Sequence, residues 1–398
     1  MNCHATTSTI RSVRVRVALR TRERIISNPT TIVPFNDLAR CASTQRSLLL
    51  SAVSRVLDSG WFVLGPEVSG FEAEFAAQCG VQHCASVANG SDALALALAA
   101  IGVGAGDEVA TCANAAMYST LAILSLRARP VFVEIERNHT MSPELFAQLV
   151  RNSTGGLKAV VVTHLYGQLA DIEEIVSIAR TKGIAVVEDC AQAHGAMRHG
   201  KLAGSFGDIG TFSFYPTKNL GALGDGGAVV SRSLTHHERV MTLRQYGWGT
   251  KYQVTSTGGR NSRLDELQAA ILRVRLPMLA KSNTRRREIA GRYVRGIQNS
   301  AVKVPHNVAD DYVAHLFVVT TANRGALQVH LHHAGIATDI HYPICDHQQP
   351  TMRALGYDIS LPVSEEMSCE VLSLPCFPDL RDDEVDAVIS AVNSWRSS

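Results

Sequence analysis

The chain has 398 residues, 46% hydrophobic and 19% charged, which is enough for more than one domain and ordinary for a globular protein. Its 38 basic and 36 acidic residues leave a net charge of +2. The first thirty residues alone carry six arginines against Glu23, so the rest of the chain holds 32 basic and 35 acidic residues, or −3. A nucleic-acid binder has a basic body, which this chain lacks, and no apolar run reaches the ~18 residues of a membrane span.

Residues 1–30 are rich in Arg, Ser and Thr, as a transit peptide is, but no cleavage site stands out; a basic, disordered extension is expected there. Beyond it, short apolar runs alternate with longer helical patterns. "SDALALALAAIG" is a helix with the cap-type Ser91 at its start and Gly102 past its last apolar position. "DEVATC" follows as a strand, "AAMYSTLAILSLRA" as a helix and "PVFVEI" as a strand. Helix "SPELFAQLVRN", strand "LKAVVVTHL", helix "DIEEIVSIARTKG" and strands "IAVVEDC" and "IGTFSFYP" continue the alternation. Such an order predicts an α/β fold with a mostly parallel sheet flanked by helices, and fully apolar strands such as "AVVV" fit burial on both faces.

A long helical stretch broken at Pro277 then leads to a different pattern: strand "AHLFVVTTA", helix "ALQVHLHHAGI", "TDIHYP" and a last helix "DDEVDAVISAVNSW". The expected division is a large α/β domain over 31–280 and a small C-terminal α+β domain over 281–398. The nine cysteines form no CxxC pair or zinc-spaced cluster, so reduced thiols and a cytoplasmic protein are expected. His330, His332 and His333 tempt a metal reading, but a helix surface explains them and no metal site is expected.

In open α/β sheets, ligands sit outside the carboxyl ends of the strands. "NGSDAL" puts Gly90, Ser91 and Asp92 where a helix begins. Free amides, the helix dipole and a hydroxyl there suit a phosphate, although an ordinary N-cap looks the same. "GIAVVEDC" ends a buried strand with Glu188 and Asp189. A carboxylate so placed serves as a helix cap, or holds a heterocycle nitrogen protonated, as an electron sink requires. Lys218 stands before glycines 221, 224, 226 and 227. Most lysines at strand ends are merely solvated; one brought into a partly buried site loses its proton and attacks a carbonyl to form a Schiff base. Helix start, strand-end acid and strand-end lysine, in that order, jointly point to pyridoxal 5′-phosphate, which needs an anion cradle, an acid at its ring nitrogen and an amine for its aldehyde.

The segments "SGWFVLGPEVSGFEAEFA", "HLYGQLADIEEI", "EDCAQAHGA", "GSFGDIGTFSFYPTKNLGALGDGGAVV" and "GGRNSRLDELQAAIL" closely resemble the DegT/DnrJ/EryC1/StrS family of sugar aminotransferases. The resemblance runs from about Pro34 to near the C-terminus. It implies a pyridoxal-phosphate-dependent aminotransferase fold of type I and a homodimer with shared active sites. It further implies Lys218 as the Schiff-base lysine and proton shuttle, and Asp189 as partner of the pyridine nitrogen. Gln192 would lie near the ring hydroxyl, Gly90, Ser91 and Ser213 at the phosphate, and Asn261 would reach the phosphate from the other subunit. Family members with His in place of the lysine remove a hydroxyl, so Lys218 favours transamination. Where relatives place a ring-stacking aromatic, this chain has Ala116, with Cys112 replacing a proline. Tyr118 is the expected substitute and Met117 the alternative.

L-glutamate is the donor the resemblance implies, and a nucleotide-linked keto-deoxysugar the acceptor. "GIATDIHYPICDHQQP" is more similar to the 3-aminotransferases than to the 4-aminotransferases, which favours a dTDP-3-keto-6-deoxyhexose. Trp61, Tyr215, Arg263, His341 and Tyr342 are candidates to line the sugar-nucleotide site; core packing for Trp61 and a satisfied strand-end role for His341 stay open. Two other readings remain, a sugar dehydratase or lyase and a non-catalytic pyridoxal-phosphate-binding regulator. Lys218 argues against the first, and the absence of a helix-turn-helix pattern against the second.

Overall fold

A computed structural model describes residues 33–305 and 308–396, so the expectation for residues 1–30 lies outside the described residues. Helix α1 (Leu38–Ser59) starts where the Asp37 carboxylate accepts from the Arg40 amide and stops at left-handed Gly60. Then follow α2 (Pro66–Cys79), β1 (His83–Val87), α3 (Gly90–Ala100), β2 (Glu108–Thr111), α4 (Tyr118–Ser125), β3 (Arg129–Phe132) and α5 (Pro143–Asn152). Strand β4 (Leu157–Thr163), α6 (Ile172–Arg180), β5 (Ala185–Asp189), β6 (Ile209–Ser213), β7 (Gly227–Ser231) and α7 (Leu234–Leu243) complete the large unit with α8 (Glu266–Arg275).

Seven strands form one sheet in the order β1-β7-β6-β5-β4-β2-β3. Pairing is parallel from β6 through β3, and β7 alone runs against its two neighbours. Successive residues of the apolar strands face opposite sides: Val160, Val162 and Val186 enter one core, and Ala159, Val161 and Val187 another. Both faces are therefore covered, which is why these strands read as continuous apolar runs.

Pro277 ends the stretch after α8 in a short 3-10 turn, and α9 (Leu279–Gly296) begins at once. Strands β8 (Phe317–Thr320) and β9 (Val371–Leu374) pair antiparallel, with α10 (Arg324–His333), α11 (Pro350–Ala354), α12 (Pro362–Glu370) and α13 (Asp382–Ser394) around them. A separate core joins Tyr293, Phe317, Leu372, Val388 and Trp395, and Val33 belongs to it through its pairing with Ile336.

Three local expectations need correcting. The helix expected from Ala115 starts only at Tyr118, because Ala116 (φ 56°) and Met117 (φ 67°) are left-handed. His341 stands at no strand end, since "TDIHYP" makes only a single bridge, Asp339 to Ser373. The cap of α3 is Asn89, whose side chain accepts from the Asp92 amide at 2.8 Å, not Ser91.

Candidate active site

The register of the sheet sets the site. Gly227, at the start of β7, pairs with Val87 at the end of β1 and with Ser213 at the end of β6. Asp189, the last residue of β5, pairs with Thr211. The outgoing ends of three strands thus lie side by side, and the start of α3 sits on them. Two glycines allow this closeness. A Cβ on Gly90 would stand 2.6 Å from the Cβ of Ser213, and one on Gly227 would stand 2.4 Å from the Asn89 carbonyl oxygen.

Since Asn89 caps α3, the amides of Gly90 and Ser91 find no acceptor among the described residues. The hydroxyls of Ser91 and Ser213 border the same cleft, whose volume is about 540 Å³. An N-terminal turn with two free amides and nearby hydroxyls is an anion site. Asp92 also lines the cleft, but its carboxylate pairs with Arg260 at 3.1 Å, which keeps its charge off the anion position.

Asp189 and Lys218 line the cleft from the sheet side. Burial pushes the Asp189 carboxyl above its ordinary range, against the Ala191 amide, Lys218, His164 and Thr163, which favour the carboxylate. Burial also pushes Lys218 down, to about 8, while Asp189 pulls the other way. At that value about a tenth of Lys218 is neutral at pH 7, far more than of a solvated lysine. Its backbone amide donates to the Tyr215 carbonyl in a tight turn. Next to it, Asn219 donates to Asn283 at 2.8 Å and to the Val313 carbonyl at 3.1 Å, and bonds the His315 imidazole at 3.0 Å. Burial, with Lys218 and Arg286 adding to it, holds His315 well below the usual imidazole range, so it stays neutral beside the lysine.

Glu188, one residue before Asp189, faces away from the cleft chemistry. Fully buried, it accepts from the amides of Gly204, Phe206 and Gly207 and bonds His164 Nε2 at 3.0 Å. The Ala170 amide donates to His164 Nδ1, so Nε2 carries the proton toward Glu188. His164, Glu188 and Cys190 bring three metal-type donors together. Their lone pairs are already used, and burial holds the Cys190 thiol well above the usual range, so no thiolate is on offer.

Behind the cleft lining, the small unit is tied to Gln192. Gln192 accepts from the Tyr166 amide and donates to the Tyr342 hydroxyl at 3.1 Å. Tyr342 meets Tyr118 edge-on at 6.5 Å, and Tyr118 lines the cleft half-exposed. His341 is held by Ser373 at 2.9 Å and stacks on Phe35. Tyr215 lines the cleft mouth and is exposed. Gln192, His341 and Tyr342 are not among the residues that line the cleft, and the remaining expected residues are outside it as well. Trp61 is exposed and donates to the Val63 carbonyl, Arg263 lies over the Tyr246 ring, and Asn261 is exposed. Sequence reasoning missed the Asn219–His315–Asn283 cluster and Asn89. Asn89 carried a signal, because Asn precedes a helix as good a cap as Ser.

The model of the DegT/DnrJ/EryC1/StrS aminotransferase family matches residues 44–393. Over 367 residues the chain is 45% identical to dTDP-3-amino-3,6-dideoxy-alpha-D-galactopyranose transaminase of Aneurinibacillus thermoaerophilus, covering 92% of this chain and 99% of the relative. It is 44% identical, covering 91% and 99%, to the erythromycin biosynthesis sensory transduction protein EryC1 of Saccharopolyspora erythraea. Among solved structures, DesV of S. venezuelae in complex with a ketimine intermediate superposes with a TM-score of 0.88 at 42% identity, covering 92% of this chain and 99% of the other. With the lysine of the turn after β6, the strand-end acid and the open helix start gathered at one sheet edge, the chain belongs to the DegT/DnrJ/EryC1/StrS aminotransferase family.

Proposed function

We propose that this protein moves an amino group from L-glutamate to the 3-keto carbon of a dTDP-linked 6-deoxyhexose, with pyridoxal 5′-phosphate as carrier. The observation that carries the reading is the juxtaposition of Lys218, pushed toward its neutral form, with buried Asp189 and the unpaired amides of α3. The residues present fit the cofactor: the amides of Gly90 and Ser91 and the Ser91 and Ser213 hydroxyls suit its phosphate, Asp189 its ring nitrogen, and Lys218 its aldehyde. Bound there, the cofactor supplies an aldehyde that carries the amine and a ring that draws electrons from the neighbouring carbon.

The side chains do the rest. Asp189, whose charge the Ala191 amide and Lys218 support against burial, would hold the ring nitrogen's proton. The Lys218 amine would serve as the base that takes a proton from the amine-bearing carbon and as the acid that returns it one position away. Gln192, tied to Tyr342, would serve the ring hydroxyl, and Tyr118 would form the ring's outer wall. Tyr215, His341 and Tyr342, with Trp61 and Arg263, meet the sugar nucleotide. Trp61, Arg263 and Asn261 lie outside this chain's own cleft, so they serve the partner's site in a homodimer. The eight described cysteines are all free, which fits a reducing cytoplasm. The name of the EryC1 relative describes that protein; a retained lysine whose proton affinity burial lowers supports catalysis here.

The test is the visible spectrum of the purified protein with pyridoxal 5′-phosphate, before and after L-glutamate, followed by a panel of dTDP-keto-sugars. Glutamate should convert the cofactor to its amine form, a 3-keto sugar should reverse this, and Lys218→Ala should slow turnover by about a thousandfold or more. A spectrum that no amino donor changes would sink the transamination reading.

A further inference from the structure

Helix α4 carries Tyr118 at its first position, yet nothing local caps it. Its N-cap residue is Met117, whose side chain offers no acceptor, and the two residues before Tyr118 are left-handed. The missing acceptor comes from 229 residues downstream. Asp346, almost fully buried, accepts from the Met117 amide at 2.8 Å through one carboxylate oxygen and from the Thr120 hydroxyl at 2.6 Å through the other. Its own amide donates to the Ala113 carbonyl at 2.7 Å. Both ends of the 113–120 turn are therefore held by one residue of the segment that follows Tyr342.

That segment has a second set of ties. The His341 carbonyl accepts from the Tyr166 hydroxyl, and the Tyr342 hydroxyl accepts from Gln192. Gln192 follows the cleft-lining Ala191, and Tyr118 lines the cleft itself. Residues 341–346 thus join Tyr166 and Gln192 to the start of α4, and the Tyr118 and Tyr342 rings meet 6.5 Å apart between these ties. A buried carboxylate is costly unless its lone pairs are used, and both oxygens are used on this one turn.

We propose that Asp346 is a positioning residue for the cofactor: by gripping the start of α4 from the small unit it fixes the Tyr118 ring as the outer wall of the cofactor slot. The inference rests on the aminotransferase reading above and on Tyr118 facing the cofactor. Asp346→Ala frees the turn, so Tyr118 no longer presses on the ring. Asp346→Asn keeps one acceptor for the Met117 amide and turns an N–H toward the Thr120 oxygen, so it preserves the grip. Thr120→Val removes half of it without opening a cavity.

The experiment measures the dissociation constant for pyridoxal 5′-phosphate by dialysis and the visible circular dichroism of the bound cofactor, with the melting temperature of the cofactor-free protein alongside. Asp346→Ala should weaken cofactor binding about tenfold and reduce the dichroic band, as Tyr118→Ala does, an aromatic contact being of that size. The double variant should be no worse than Tyr118→Ala alone. Thr120→Val should fall between, and Asp346→Asn should stay near the wild type. Asp346→Ala or Thr120→Val that melts lower but keeps wild-type affinity and dichroism overturns the proposal, leaving Asp346 a plain helix cap. Additive losses in the double variant overturn it too. A wild type that takes up cofactor and responds to glutamate keeps the aminotransferase reading intact in those cases; one that takes up no cofactor overturns both.

Discussion

At the scale of single residues, the site depends on burial acting on two opposite charges at once. Burial lowers Lys218 from 10.5 to about 8 and raises Asp189, while each favours the charged form of the other. Capture of the cofactor-free protein by pyridoxal 5′-phosphate and borohydride should therefore rise with pH through about 8 and level off, as mass spectrometry of the Lys218 peptide reads it. Asp189→Asn removes the charge that supports the ammonium, so the midpoint should move to lower pH. A midpoint left near 10.5 in the wild type would mean that Lys218 is solvated. The stability linkage has the matching sign. Between about 8 and 10.5 the unfolded chain holds a proton that the folded one has lost, so this group's contribution to stability rises with pH across that window.

The elements tell which parts of the site could be read from the chain alone. β4 and β5 were legible because burial on both faces demands unbroken apolar runs, and an acid at such a strand's end stands out. The start of α4 was not, since nothing in "ANAAMYST" announces two left-handed residues, and the carboxylate that holds them is 229 residues away. Glu188 was equally opaque. It looked like a twin of Asp189, yet alternation along β5 sends it to the opposite face. There its oxygens collect three amides from 204–207 and the His164 ring, which shapes the loop leading into β6. Glu188→Gln turns an N–H toward those donors and should cost about 2–3 kcal/mol in urea unfolding. Cofactor affinity should follow only as far as β6 shifts. An unchanged midpoint would show that the loop does not depend on this carboxylate.

For the whole molecule, the informative feature is what the described chain leaves uncovered. Tyr252 is 77% exposed, Val254 61%, Trp61 57% and Tyr215 53%. Tyr246, Trp248 and Tyr252 form an aromatic ladder along the ribbon 246–254, with ring centroids 4.9 and 5.3 Å apart. That ribbon is tied to the cleft rim: the Tyr246 amide donates to the Arg260 carbonyl, and the Arg260 side chain holds Asp92. A patch of exposed aromatic rings is the usual composition of a subunit contact. If the partner covers this patch, assembly and cofactor binding are one event, because the residues between ribbon and cleft include Asn261, Arg263 and the anchored Ser262. Tyr252→Asp combined with Val254→Asp should then sediment as a monomer with unchanged far-ultraviolet dichroism and bind pyridoxal 5′-phosphate more weakly, by about tenfold or more. Raising the protein concentration should restore both properties together. A variant that is monomeric yet binds cofactor and turns over like the wild type would show that each chain carries a complete site, and Trp61, Arg263 and Asn261 would lose their assigned roles.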